Sequence, residues 1–149
     1  MISLGWTIAL FQEVTEKIVP ENIKQILTLM TKNALRLITE ENVNGLQKMI
    51  GPEAVMGTIC SDVIYLTKTK GKDFKKRISE FKEAALKDYH SLLKSELRLD
   101  FNYVVDASAK PTDILQNNDI IVRHDCEWGF LFRQKNKSWL LKGVFILPK

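Results

Sequence analysis

The sequence predicts a single α+β domain, and three observations carry that expectation. Apolar residues recur at helical spacing through the first two thirds, most clearly at Phe74, Ile78, Phe81, Ala85 and Tyr89. The period drops to two from Leu97 onward, where Leu97, Leu99, Phe101, Tyr103 and Val105 alternate with Arg98, Asp100, Asn102 and Val104. The length of 149 residues with 45% hydrophobic side chains suits one core, and a net charge of +4 is too modest for a disordered chain.

Residues 1–12 carry no charged side chain and superficially match the apolar part of a secretory leader. They lack a basic start, and Gln12, Glu13 and Glu16 stand where small cleavage-site residues belong. Trp6, Leu10, Val14 and Ile18 instead follow an i, i+4 spacing that suits a helix packed on a core. After Pro20, a natural first-turn residue, Ile23, Ile26, Leu27, Met30, Ala34 and Leu37 trace one helical face. Thr39 is placed as the N-cap of a short helix, with Glu40 and Glu41 in its first turn. Leu46, Met49 and Ile50 then point inward, and Gly51-Pro52 ends the segment.

Residues 53–68 fit two patterns. Val55, Ile59 and Val63 recur at i+4 as in a helix, whereas the richness in Val, Ile, Thr and Tyr around Gly57 suits two short strands. Strand is the reading adopted for 57–67. Residues 72–94 form the clearest helix, whose opposite face carries Lys75, Lys76, Glu80, Glu83, Lys87 and Lys94. A strand over Leu97–Val105 follows, then a turn-rich loop from Asp106 to Asn118 containing Pro111.

Beyond the loop, Ile120, Val122, His124, Cys126, Trp128, Phe130 and Phe132 share one face, with Arg123, Asp125, Glu127 and Arg133 on the other. The last strand, Ser138–Leu147, places Trp139, Leu141, Phe145 and Leu147 together. A four-residue loop, Gln134–Lys137, pairs Phe132 with Trp139 and sets Trp128 opposite Gly143, an aromatic over a glycine. A two-residue Asn136-Lys137 loop keeps the same faces inward but lacks the glycine that tight hairpins favour.

The carrying features of a family resemblance are Thr39-Glu40-Glu41-Asn42-Val43 with Met49-Ile50-Gly51-Pro52, Gly71-Lys72-Asp73-Phe74 opening the third helix, and the closing stretches Cys126–Phe130 and Lys137–Val144. In this order and texture the chain resembles the NTF2-like (cystatin-like, cone-shaped) α+β superfamily. The resemblance implies N-terminal helices packed on a curved antiparallel sheet formed mainly by the C-terminal third, with a pocket inside the cone. A helical bundle followed by a three-stranded meander is the competing architecture if residues 53–68 are helical. Superfamily members include isomerases, dehydratases and non-catalytic binding or transport proteins, so the fold does not decide the function. Isomerase-type members use an acidic base with acidic and tyrosine oxyanion donors. No segment here matches those positions, so no catalytic residue is carried over.

The sequence contains no phosphate-binding glycine loop, HExxH or CxxC motif. His90 and His124 are the only histidines, and no acidic partners stand at metal-ligand spacing, so neither a metal nor a cofactor is expected. His90 falls on the polar face of its helix. The candidate pocket lining is Phe101, Tyr103, His124, Cys126 and Trp128, all inward on neighbouring strands. A His124–Cys126 pair could generate a thiolate, but no third orienting group is local, and a core histidine beside a buried thiol is the stronger reading. Asp62 and Tyr65 are lesser polar candidates whose orientation depends on the 53–68 assignment. Leu131, Leu140, Val144 and Ile146 are expected outward as the face of a homodimer or partner contact.

Charge is uneven. Residues 68–94 hold nine basic and four acidic side chains, and residues 133–149 hold five basic and none acidic. Lys68, Lys70, Lys72, Lys75, Lys76 and Arg77 form a basic corner, but no exposed aromatics or recognition motif accompany it, and nucleic acid is not an expected partner. No uncharged apolar stretch reaches the roughly 18–20 residues that span a bilayer. The sequence as given favours the cytoplasm. The function expected is a non-catalytic binding or protein-interaction module with a small apolar pocket, for a small apolar ligand or a protein partner. The alternative is a pocket enzyme of isomerase or lyase type. Asn136-Lys137-Ser138 fits the glycosylation pattern, a triplet common by chance, and is given no weight. Two isolated cysteines, Cys60 and Cys126, are expected as free thiols, so reducing and non-reducing intact masses should agree after thiol blocking.

Overall fold

A computed structural model describes residues 17–58, 63–65, 75–83, 98–105, 115–124 and 128–146. Helix α1 (Glu21–Thr39) starts after Pro20, whose carbonyl accepts from Lys24 N at 3.0 Å. Glu21 lies in its first turn and Arg36 in its last, the order that complements the helix dipole. Leu27, Thr31, Ala34, Leu35, Leu37 and Ile38 are buried, whereas Ile26, expected on that face, is exposed.

Thr39 closes α1 and is not the N-cap of the next helix. Its hydroxyl donates to the Arg36 carbonyl at 2.7 Å. Glu41 N bonds Ile38 O and Asn42 N bonds Leu37 O, the paired bonds of a Schellman cap, with Glu41 held left-handed at φ 51° where glycine is usual. Asn42 is the cap of α2 (Val43–Met49), its Oδ1 accepting from Gly45 N at 2.9 Å. One residue thus ends one helix and starts another.

Ile50 opens a strand. Gly51-Pro52, expected to stop the segment, lie within β1 (Ile50–Thr58), where the register shifts between Ile50 and Val55. A proline is tolerated at such an irregularity because no ladder hydrogen bond is demanded of it. β1 pairs with β2 (Val63–Tyr65), so the extended reading of this region holds over the described residues and the helical-bundle alternative falls. Residues 75–83 form helix α3, which buries Ile78 and Phe81; the rest of the expected 72–94 helix, including Lys87 and His90, lies outside the described residues.

The remaining strands are β3 (Leu99–Tyr103), β4 (Ile120–His124), β5 (Trp128–Lys135) and β6 (Ser138–Ile146). The segment expected as one strand over 120–133 is therefore two antiparallel strands, His124 facing Trp128 across the sheet. The six strands run in the order β2-β1-β6-β5-β4-β3. β1 is parallel to β6 and every other pair is antiparallel, so the sheet is mixed where an antiparallel one was expected. Helices packed on one face of a mixed sheet make this an α+β fold.

Three rows cross the inner face of the sheet. Tyr103, Ile120, Phe132 and Leu141 form one, Phe101, Val122, Phe130 and Val144 the next, and Leu99, His124, Trp128 and Ile146 the third. Helix residues Leu27, Ala34, Leu35, Ile38, Leu46, Ile78 and Phe81 pack with these rows in one core. Trp128 fills its part of that core, stacked on Phe130 and edge-on to Phe81, each at 5.9 Å between ring centroids.

The β5–β6 hairpin uses the two-residue loop, with Lys135 opposite Ser138 and both Asn136 (φ 52°) and Lys137 (φ 66°) left-handed. Phe132 pairs with Leu141, but Leu131 pairs with Gly143, leaving Lys142 as an extra residue in β6. The side-chain alternation of β6 is inverted beyond it. Val144 and Ile146 consequently turn inward, while Gly143 and Phe145 turn outward. Trp128 faces Ile146 and does not cover Gly143. That glycine is covered by its own strand: a Cβ there would meet the Phe145 ring at 2.6 Å.

A left-handed lysine carries a steric cost that glycine does not. Lys137→Gly should therefore stabilise the protein by about 0.5–1 kcal/mol, read as a rise in the urea midpoint at constant slope. An unchanged or lowered midpoint would contradict the turn geometry.

Candidate functional site

β3 is one edge strand of the sheet, and its inward residues Leu99, Phe101 and Tyr103 are only half-buried, whereas Phe130 and Phe132 two strands in are fully buried. The helix packed over this edge is the first half of α1. Between them lies an open groove of about 430 Å3, lined by Glu21, Lys24, Gln25, Thr28 and Leu29 of α1 and by Phe101 of β3. Leu29 is 68% exposed and Ile26 beside it on the helix is 44% exposed. The Lys24 ammonium stands 5.9 Å from the Phe101 ring centroid, so the groove has an aromatic floor and a cationic rim.

Two contacts fix the end of the groove nearest the start of α1. Lys17 Nζ lies 4.5 Å from the Tyr103 ring centroid and donates to Asn118 Oδ1. Asn118 belongs to the turn that enters β4, and this turn is closed by Asp119. The Asp119 carboxylate is almost fully buried and accepts from Arg133 Nε at 2.9 Å, Arg133 Nη2 at 2.8 Å and Gln116 N at 2.9 Å. Its backbone carbonyl accepts from Val104 N at 2.7 Å. A buried carboxylate is retained here because a bidentate guanidinium and a backbone amide replace its hydration.

The structure separates the expected pocket residues. Phe101 lines the groove, and Tyr103 lies two residues along the same face of β3 beneath Lys17. His124 is buried between Leu99 and Trp128 in the third inner row. Trp128 is part of the packed core and is not part of this groove's lining. Cys126, Cys60, Asp62 and the greater part of the 106–118 loop lie outside the described residues; Tyr65 lies in β2. The described members thus form an edge group, Phe101 with Tyr103, and a core group, His124 with Trp128.

The expected outward face is also divided. Val144 is fully buried in the core and Ile146 packs against it, because the extra Lys142 inverts the alternation. Leu131 and Leu140 do lie on the outer face, with Leu131 buried and Leu140 half-buried. The described basic residues differ in exposure. Lys75 and Lys76 are exposed, but Arg133 is paired with Asp119 and Lys142 is 5% exposed.

The α1 side of the groove was missed by sequence reasoning. Its signal was present: Leu29 lies off the buried stripe of α1, and an apolar residue there asks for a partner outside the helix–sheet core. Among the described residues no group of His, Cys, Asp and Glu could hold a metal ion, and no helix is long and apolar enough to cross a membrane.

No protein-family model and no curated protein matches the chain. Among solved structures, a variant of the designed protein Rd1NTF2_05 is similar over 84% of this chain and 98% of its own, at 12% identity and a TM-score of 0.34.

Losing the Asp119 charge would leave the Arg133 guanidinium without its bidentate partner. Asp119→Asn should cost about 2 kcal/mol in urea denaturation, reduced from the larger figure for a wholly buried pair because Arg133 keeps some solvent contact. A loss under about 0.5 kcal/mol would remove this clasp from the account of the groove.

Proposed function

We propose that the protein is a non-catalytic binding module and that the groove between α1 and β3 takes an apolar ligand or an apolar segment of a protein. The observation that carries the reading is the groove itself: Phe101 as floor, Leu29 as an exposed wall, and Lys24, Gln25 and Glu21 as the polar rim. Its volume of about 430 Å3 falls in the range of sites that hold small molecules. Binding would cover Leu29 and the free part of Phe101, and each apolar side chain taken from water contributes up to about 1.5–3 kcal/mol.

The polar groups support binding more than turnover. Proton transfer at carbon needs an acid and a base within hydrogen-bond reach of one substrate. The rim offers Glu21 and Lys24 on the first turns of a helix, while His124 lies in another row of the sheet, under the core. A rim of this kind orients an amphipathic ligand rather than reacting with it.

The dye ANS tests the site directly, since its fluorescence rises on entering an apolar environment. Titration of the native chain should saturate, and Phe101→Ala and Leu29→Asp should each weaken binding about tenfold, equivalent to about 1.4 kcal/mol. Binding that ignores both substitutions would overturn the assignment of the site.

A further inference from the structure

Lys24 and Leu29 line the same wall of the groove, one cationic and one apolar, above the single ring of Phe101. We infer that the groove selects amphipathic anions, small molecules whose apolar body lies on Phe101 beside Leu29 and whose one carboxylate or sulfonate pairs with Lys24. The inference rests on the binding reading above and names the class of ligand.

The sign of the head group follows from how Lys24 is placed. Its side chain is half-buried, and its ammonium is set against a ring and not against a carboxylate. Arg36, Arg77, Lys82 and Arg133 each have a carboxylate oxygen within 3.3 Å, but Lys24 enters no ion pair among the described residues. A cation partly removed from water in this way gains from an acid brought by a ligand, since a charge-assisted hydrogen bond is roughly twice as strong as a neutral one. Glu21 does not serve as that acid. It is exposed, three residues back along α1, and already complements the positive end of the helix.

Lys17 gives the groove the same sign. It lies over Tyr103, the inward residue of β3 after Phe101, and donates to the neutral amide oxygen of Asn118. Two ammonium groups thus stand over two successive rings of β3, against the one carboxylate of the lining, Glu21. A cationic ligand could reach the Phe101 face only by displacing Lys24 from it, and both lysines would repel it.

The rest of the lining asks for an apolar body. Thr28, between the cation and Leu29, already donates its hydroxyl to the Lys24 carbonyl at 2.6 Å. Leu29 and the half-buried Phe101 then offer apolar surface on two sides. Five residues of helix, about 7.5 Å, separate Lys24 from Leu29, and the body of the ligand has to cover that length. A two-ring aromatic or a short alkyl chain does so.

A matched pair of probes tests the class. Naphthoate and naphthamide share one body and differ in the charge of the head. In the full chain at low ionic strength, naphthoate should displace ANS with about fivefold higher affinity than naphthamide, equivalent to about 1 kcal/mol. Lys24→Gln should erase the preference and Lys24→Arg should keep it. The ratio is the readout because loss of the ammonium also loosens packing on Phe101, which affects both probes alike. Equal affinities in the native chain, or a preference that survives Lys24→Gln, would overturn the anion class; weakening of both probes by Phe101→Ala would in that case keep the binding reading. Displacement by neither probe, with ANS binding that ignores Phe101→Ala, would overturn the binding reading and the ligand class with it.

Discussion

Lys142 is the extra residue through which β6 serves two neighbours. On one side Leu141 pairs with Phe132 and Gly143 with Leu131; on the other Leu141 faces Ile50 and Gly143 faces Val55. Lys142 has no opposite number in either ladder. Both irregularities of the sheet meet at this point, and a bulge there bends the strand. Trp139 and Leu141 before the bend and Val144 and Ile146 after it all face the helices. Without the extra residue, Val144 and Ile146 would turn to the outer face and Phe145 would turn in. The core under α1 and α3 depends on that inversion.

The inversion also shapes the outer face. Gly143 stands where the Phe145 ring folds back along its own strand, and Leu131 is buried beside it. A side chain at position 143 would have to displace the ring, so close approach and not backbone conformation favours the glycine. A second constraint acts at the opposite end of the sheet. Asp119 joins the β4 entry to β5 through Arg133 and to β3 through Val104 N, and Asn118 passes that order on to Lys17. The edge strand, the start of α1 and the groove between them are held by this one carboxylate and its neighbours.

Much of the fold is legible in the sequence because a half-buried strand writes its burial as every second residue. Leu99, Phe101 and Tyr103 against Asp100 and Asn102 are an example, as are Ile120 and Val122 on β4. The same rule hides the turn between β4 and β5. Three residues separate His124 from Trp128, so the even-numbered apolar series runs through the connection without a break in phase. The bulge at Lys142 is hidden for a related reason, since Leu140, Leu141, Val144, Phe145 and Ile146 are apolar in either phase. The helix cap was misplaced because Glu41 occupies a left-handed position that glycine would have advertised. Of the candidate site, Phe101 and Tyr103 were legible from strand parity. The α1 wall was not, because it exists only where a helix crosses a particular strand.

The groove marks where the core runs out. Along the middle inner row, Val144, Phe130 and Val122 are fully buried, and Phe101 at the edge is not. A central strand has helices above and strands on both sides, whereas β3 has a single neighbour and only the opening turns of α1 above it. Lysine stems from Lys17 and Lys24 cover part of the deficit, which long amphipathic side chains can do while keeping their charge in water. The remaining apolar surface is Leu29 and the free part of Phe101. Whatever covers it extends the core by one more layer, so stability and binding draw on the same few side chains. The match such a partner must make is to an aromatic floor, Phe101, with the Lys24 cation at its rim.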